Sequence, residues 1–230
     1  LLGRAIARPS RLRHDGPRNA DRGRRVIDLA DVAYGYGNTT LLSELTLRLA
    51  PGSFHFLTGP SGSGKTTLLK LCYADLTASA GKVSLFGQDT ATMTRDQIAR
   101  ARQRMGVVHQ DCEFLDHLPL YENVALPLTV AGRSGDDEAG NLEELMGWVG
   151  LAARREALPP ELSGGERQRA ALARAVITDP EVVLAELNRM GKTILVATHD
   201  LALIRAAKTH VSARVLRIAK GRLQLAGSDL

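Results

Sequence analysis

In this 230-residue chain the stretch best equipped for chemistry is Gly59-Pro60-Ser61-Gly62-Ser63-Gly64-Lys65-Thr66-Thr67, which fits the G-x-x-x-x-G-K-[ST] spacing of a phosphate-binding loop. Its glycines and serines let the backbone curl, so that successive N–H groups point inward at a polyphosphate with a helix's positive end behind them. Lys65 has the reach for β- and γ-phosphates, and the Thr66 hydroxyl is placed to ligate Mg²⁺. A Gly/Ser-rich turn that matched by chance would lack the right flanks. Here an apolar run, Ser53-Phe54-His55-Phe56-Leu57, precedes the loop as a buried strand, and Leu68-Leu69-Lys70-Leu71-Cys72 follows it at helical spacing.

A second stretch has related chemistry. Leu162-Ser163-Gly164-Gly165-Glu166-Arg167-Gln168-Arg169 runs into a helix over Ala170–Val176. Ser163 can cap that helix, and the two glycines leave its N-terminus bare, a second end that attracts phosphate. One such end beside the loop is understandable; a second asks for a second nucleotide, or for the nucleotide of a partner molecule. Between the two, Gly106-Val107-Val108-His109-Gln110 reads as a buried strand with a polar residue at its carboxyl end, where ligands bind in open α/β sheets. Gln110 is therefore a candidate for the metal or the attacking water. Tyr36 reads equally as a platform for a nucleotide base and as an aromatic that anchors a turn. His109 and His117 have no matching ligand partners and read as structural.

Those residues need a scaffold, and the length is ample for one large or two small domains. The formal charge of +5 is unevenly placed. Residues 1–25 hold eight Arg against Asp15 and Asp21, so the remaining 205 residues sum to −1. The basicity belongs to a tail, expected to be disordered, and not to a nucleic-acid-binding face. Cys72 and Cys112 form no C-x-x-C pair and read as reduced thiols. No apolar run approaches the roughly 18 residues of a membrane span, so a membrane role must come through a partner.

Order is expected from Val26. Ile27, Leu29 and Val32 suggest a strand, then a turn through Gly35, Tyr36 and Gly37; Leu45, Leu47 and Leu49 alternate with polar residues as an antiparallel strand. Val83–Phe86 is a strand ending at Gly87, and Arg95–Met105 a polar helix. From Asp111 to about Pro160 the character is helical, with an amphipathic Asn141–Val149. Exposed apolar residues within Leu118–Val130 would make this insert a docking surface for another protein. Val182–Ala185 and Thr193–Ala197 are strands, Asp200–Ala207 a helix, and Val215–Ile218 with Leu223–Leu225 a terminal hairpin around Lys220-Gly221.

The phosphate loop, Gln110, Leu162–Arg169 and Thr198-His199-Asp200 occur in the order of ABC-type ATPases, and the chain resembles that family from about Ile27 to Gly227. Val108-His109-Gln110-Asp111, the run His117–Leu128 and Phe56–Gly62 look most like the bacterial cell-division ATPases of the FtsE type; lipoprotein-export and macrolide-export ATPases are close relatives. The resemblance implies an α/β fold: a P-loop NTPase over residues 26–230 with an antiparallel β subdomain, a mostly parallel core sheet and a helical subdomain insert at about 111–160. It implies ATP and Mg²⁺ as cofactors. Tyr36 would stack on adenine, Gly59, Pro60 and Ser61 through Thr67 would hold the phosphates, and Thr66 and Gln110 would meet Mg²⁺. His199 would contact the γ-phosphate, so that Lys65, Gln110 and His199 form the catalytic set. Ser163, Gly164 and Gly165 would cap the γ-phosphate held by the other protomer of a head-to-tail dimer. The implied partners are a second copy and an integral membrane subunit, an FtsX-like permease, at the cytoplasmic face of the inner membrane; no nucleic acid is implied.

After Val182–Ala185 the sequence departs from the family, which continues with Asp-Glu-Pro-Thr-Gly and a helix. Here Ala185 leads directly to Glu186-Leu187-Asn188-Arg189-Met190-Gly191-Lys192 and the next strand. The Mg²⁺-supporting Asp and the catalytic Glu have no counterpart, and Glu186 does not replace them, because in the family a Glu-Leu-Asn-like piece ends the absent helix. Packing objects independently: two neighbouring parallel strands need a crossover of roughly 10–12 residues, and Glu186–Lys192 supplies seven. The favoured expectation is that the sequence omits residues at this junction and that the chain breaks between Ala185 and Glu186; otherwise one of the two runs is not a neighbouring parallel strand. If the shortfall is real, a nucleotide-binding scaffold without turnover is an alternative to the ATPase.

Overall fold

Two compact units divide the chain: one comprises Gln103–Leu187, and the other is built from the residues before and after it. The computed structural model describes residues 26–37, 39–51, 53–109, 111–133, 135–184, 193–197 and 214–225. The basic tail over 1–25, Gln110, the junction at Ala185–Glu186 with its expected break, His199 and the helix expected over Asp200–Ala207 lie outside the described residues.

The unit that carries the phosphate loop contains an antiparallel sheet. Its strands β1 (Ile27–Tyr36) and β2 (Thr39–Leu49) pair along most of their length. β1 also pairs with β4 (Ala80–Leu85), which pairs with the short β5 (Gln88–Asp89). Leu45, Leu47 and Leu49 face inward with Ile27 and Leu29, while Thr46 and Arg48 are exposed, which is the alternation of a sheet with one wet face. The expected turn shrinks: Gly35 and Tyr36 still pair with Thr40 and Thr39, and Gly37, at φ 58°, follows the end of β1.

The same unit holds the strand before the loop. All five residues of β3 (Phe54–Thr58) are buried, as expected of a strand covered on both faces. β3 runs parallel to β8 (Thr193–Ala197) on one side and β9 (Arg214–Ala219) on the other. β9 turns through Lys220 and Gly221, at φ 51° and 75°, into antiparallel β10 (Arg222–Leu225); two successive positive φ values are what a two-residue hairpin of matching twist requires. Gly221 fits closely, since a Cβ there would lie 2.7 Å from the Leu41 carbonyl. The helix after the loop, α1 (Lys65–Cys72), buries Leu68, Leu71 and Cys72, and each leucine contributes about 2 kcal/mol of apolar burial. α2 (Arg95–Gln103) reaches back through Arg102, which donates to the Tyr73 and Ala74 carbonyls at 3.0 and 2.8 Å and so closes the end of α1.

In the Gln103–Leu187 unit, β6 (Met105–Val107) runs parallel to β7 (Val182–Leu184). The helix expected to reach Met105 stops at Gln103, because Met105 and Gly106 are paired with Val182 and Val183. The strand expected to extend to Gln110 ends at Val107, where its three-residue partner ends. Three helices fill the rest: α3 (Leu120–Val130), α4 (Asp136–Trp148) and α5 (Gly164–Val176). Gly106 lets β6 approach α5, since any Cβ there would collide with the Ala175 carbonyl.

Candidate nucleotide-binding site

β3 ends at Thr58, whose hydroxyl donates to the Leu216 carbonyl at 3.1 Å and pins the strand end to β9. The chain then turns through Gly59, Gly62 and Gly64, at φ 152°, 74° and 97°. A Cβ on Gly59 would lie 2.7 Å from the Ile218 carbonyl oxygen, and one on Gly64 would lie 2.6 Å from Leu42 Cδ2. Gly64 needs glycine for conformation and for space together. It is also the N-cap of α1, with no side chain capping the helix and no acidic residue in its first turn. No side chain of the helix's own cap or first turn therefore neutralises its positive end.

The polar groups fit an anion there. Lys65 Nζ donates to the Gly59 and Pro60 carbonyls at 2.8 and 2.7 Å, which holds its charge at the mouth of the loop. Thr66 is exposed, while Thr67 is buried beneath the loop. Ser63 Oγ is buried without a hydrogen-bond partner, an orphaned group that a phosphate oxygen would satisfy. Ser61 and Gly62 are exposed on the rim. β2 lays Leu41 and Leu42 against Gly64, so the hairpin tip that carries Tyr36 lies a few residues along from the loop. The Tyr36 ring is 59% exposed and meets the Tyr34 ring edge-on at 5.2 Å, which leaves most of its surface open.

His55 lies below the loop on β3, 3% exposed, between Leu195 of β8 and Arg214 of β9 in register. Its Nδ1 has no partner. Burial, aided by the Arg214 charge, pushes its pKa down to about 4, so the ring is neutral near pH 7 and packs as an apolar group. The two cysteines are buried, and burial raises both thiols, Cys72 to about 12.

The second helix start is built differently. Ser163 caps α5 and forms a reciprocal box with Glu166. Ser163 N–H and Oγ both donate to Glu166 Oε2 at 2.8 Å, and the Glu166 N–H donates to Ser163 Oγ at 3.3 Å. These bonds, with Arg154 3.4 Å away, hold the Glu166 carboxyl below its ordinary range. The end expected to be bare thus carries the chain's own carboxylate. Gly164 and Gly165 are exposed; a Cβ on Gly164 would meet nothing within 4 Å, and one on Gly165 only the Arg169 guanidinium at 3.6 Å. No contact among the described residues explains either glycine.

Two residues not singled out from the sequence organise the segment after Gln110. Asn123, wholly buried in α3, accepts from Leu115 N–H at 2.8 Å and donates to the Leu115, Leu118 and Pro119 carbonyls at 3.0, 2.9 and 3.2 Å. Arg174 of α5 donates to the Glu113 and Cys112 carbonyls. An asparagine inside an apolar helix stretch was a readable signal for the first; one arginine among thirty basic residues gave none for the second. His109 and His117 belong to no group of three or more potential metal ligands among the described residues. No helix of the described residues is long and apolar enough to cross a membrane.

Known proteins share this arrangement. The family model described as ABC transporter matches residues 42–186. The cell division ATP-binding protein FtsE of Escherichia coli (strain K12) is 37% identical over 219 residues, covering 86% of this chain and 97% of that protein. The protein of the same name from Bacillus subtilis (strain 168) is 31% identical over 209 residues, covering 82% and 92%. Among solved structures, a dimeric bacterial ABC transporter cassette superposes with a TM-score of 0.77 at 28% identity, covering 86% of this chain and 96% of that one. The cassette in a dimeric post-hydrolysis state bound to ADP and Pi gives 0.75 at 27% identity, covering 87% and 99%. The alignment to the Escherichia coli protein spans 219 positions, yet 86% of 230 residues is about 198, so about 21 positions have no residue in this chain. The family match stops at Glu186.

Proposed function

The chain belongs to the ABC transporter family and is an ABC-type ATPase, and from that premise we propose that it is the ATP-driven subunit of a cell-division complex of the FtsEX type, working as a nucleotide-sandwich dimer. The observation that carries the sandwich is the pair Gly164-Gly165: two glycines in the first turn of a helix, costing about 1 kcal/mol each against alanine, with no contact among the described residues to require them. Their bareness suits the close approach of a second molecule's nucleotide.

In this reading the Tyr36 ring stacks on adenine, and the N–H groups of Gly59 through Thr67 bind the phosphates, with Pro60 shaping the turn. Lys65 leaves the Gly59 and Pro60 carbonyls to meet the β- and γ-phosphates, and the orphaned Ser63 hydroxyl gains a partner. Thr66 and Gln110 would hold Mg²⁺, which supplies charge neutralisation between the phosphate oxygens. Ser163 N-caps α5 so that Gly164 and Gly165 face the partner's γ-phosphate, and His199 contacts the γ-phosphate within its own protomer. Water attacks in line, and Lys65 with the partner's glycines stabilises the charge that develops. The carboxylate that would serve as general base has no counterpart in the sequence.

The membrane partner, an FtsX-like permease, would dock on the helical insert and hold the chain at the cytoplasmic face of the inner membrane. Support comes from Leu118, which is half-buried, and from α3, where Tyr121, Ala125 and Leu126 are half-buried and Val130 at the end of the helix is 71% exposed. A cleft of about 300 Å³ lined by Tyr121, Glu143, Met146, Ala152 and Arg155 continues that strip. Co-purification with a permease of a lipoprotein- or macrolide-type exporter instead would move the assignment to an export ATPase.

The shortfall favours a second reading, a nucleotide-binding module without turnover. Equilibrium ATP binding, ATP-dependent dimerisation and steady-state phosphate release on the same sample decide between them. The expected result is binding that Lys65→Ala weakens by about 100-fold, the loss of its charge-assisted contacts, with dimers formed in ATP and phosphate release above the variant's level. Binding and dimerisation with release no higher than in Lys65→Ala would assign the scaffold. Binding as tight in the variant as in the parent would defeat both readings.

A further inference from the structure

The β1–β2 ladder is irregular around Tyr34, and the irregularity has a direction. Tyr34 pairs with Leu42, the wholly buried residue that packs against Gly64 of the phosphate loop. β2 carries one extra residue on each side of that rung, since Val32 pairs with Leu45 and Gly35 with Thr40. Glu44, at φ 53°, lies in the first of these bulges. Bulges increase the local twist and re-aim the side chains beside them. Both fall on β2, so β1 keeps its alternation from Tyr34 to Tyr36 and the two tyrosines share a face. Gly35 between them has no room for a side chain, because a Cβ would lie 2.4 Å from the Thr39 carbonyl oxygen. The frame is tied again at Ser43, whose N–H donates to the Gly221 carbonyl at 2.8 Å.

The two tyrosines are set unequally in that frame. Tyr34 is half-buried on the rung anchored to the loop, whereas Tyr36 is exposed on the last rung of β1. Their ring centroids lie 5.2 Å apart at 88°, the edge-to-face arrangement that aromatic quadrupoles favour. An exposed tyrosine without such a contact samples several staggered rotamers, and ordering it would oppose binding. We propose that Tyr34 is a positioning residue for the nucleotide base: its ring holds the Tyr36 ring in one orientation, so that the stacking surface is formed before the nucleotide arrives. The proposal rests on the assignment of Tyr36 to the base. Tyr34 acts through Tyr36, and it does so with its ring and not with its hydroxyl.

The test measures dissociation constants, in the absence of Mg²⁺, for ATP and for inorganic tripolyphosphate, which has the phosphates and no base. The full chain is compared with Tyr34→Ala, Tyr34→Phe, Tyr36→Ala and the Tyr34→Ala/Tyr36→Ala double variant. Tyr36→Ala should weaken ATP about tenfold, the loss of one base–aromatic stack. Tyr34→Ala should weaken it about fivefold, the worth of one edge-on aromatic pair, and Tyr34→Phe should bind within about twofold of the parent. Tripolyphosphate should bind all of them within about twofold, which also reports that the loop is folded. The double variant should be no weaker than Tyr36→Ala, since a residue that acts only through Tyr36 has nothing left to position. Parent-like ATP binding in Tyr34→Ala would overturn the proposal while leaving Tyr36 its role. Parallel losses for ATP and tripolyphosphate in Tyr34→Ala, or losses that add in the double variant, would overturn it as well. Parent-like ATP binding in Tyr36→Ala would remove the base-stacking reading, and the proposal with it.

Discussion

The glycine-bearing starts of α1 and α5 are built in opposite ways. α1 starts at Gly64, in a left-handed conformation, with no side-chain cap and no acidic residue in its first turn. α5 starts at Ser163, in an extended conformation, with a carboxylate folded back onto its cap. The glycines of the first are demanded from inside, by positive φ and by the neighbours a Cβ would strike; no close contact among the described residues demands Gly164 and Gly165 of the second. A helix end left without a counter-charge is an anion site in its own right. A helix end already closed by Glu166 is a weak one, which needs a second surface to complete it. In the proposed reading the difference separates a site that binds from a site that covers.

Substituting each helix start by alanine tests that distinction with the largest effect. Gly64→Ala places a Cβ at φ 97° and 2.6 Å from Leu42 Cδ2, and should cost about 4 kcal/mol of stability by thermal or denaturant unfolding, strain and overpacking together. Gly164→Ala has open space and a helical position, and should stabilise by about 1 kcal/mol while abolishing ATP-dependent dimerisation. Two losses of stability, or a Gly164→Ala chain that still dimerises, would break the comparison.

Acid should separate the two regions next. The folded-state pKa of His55, about 4, lies below its ordinary 6.5. Between these values the unfolded chain binds the proton and the folded chain does not, so stability is complete above pH 6.5 and falls as the pH drops toward 4. The shift corresponds to at most about 3 kcal/mol. His55→Leu should flatten the unfolding profile across that window, monitored by amide exchange over Phe54–Cys72. An unchanged profile in the variant would place the acid sensitivity elsewhere.

Much of this contrast was readable in advance, for physical reasons that differ by residue. Gly59–Thr67 was legible because the chemistry fixes spacing, and the strand and helix on its flanks follow from apolar runs of the right period. The alternation at Leu45, Leu47 and Leu49 gave β2 directly. The Ser163-x-x-Glu166 capping box was present as a pattern, yet the two glycines drew attention to a bare end and away from the carboxylate that closes it. The end of β6 could not be read, because Val108 continues the apolar run while the pairing partner β7 ends at Leu184, a long-range fact. Arg174 was illegible for the same reason: its partners are the carbonyls of Cys112 and Glu113, about 60 positions away, and backbone acceptors leave no mark on a sequence.

The smallest effect concerns the cap itself. Glu166 accepts from Ser163 N–H and Oγ, and these bonds favour its charged form in the folded chain. Because its folded pKa is depressed, its contribution is present above the unfolded value and is lost as the pH falls through the folded one. Ser163→Ala, which removes the hydroxyl at the cap, should cost about 1 kcal/mol. Glu166→Gln should remove the acid-dependent part of the cap while sparing most of the helix, since the burial of Ala170, Ala171 and Ala173 does not depend on it. Trp148, the chain's single tryptophan, lies in α4 of the same unit and reports on it by fluorescence. In the parent chain its acid transition should begin only below the window in which His55 loosens the loop-bearing unit. If the Glu166→Gln transition were indistinguishable from the parent's, the carboxylate would not be closing α5, and the two helix starts would differ less than their geometry indicates.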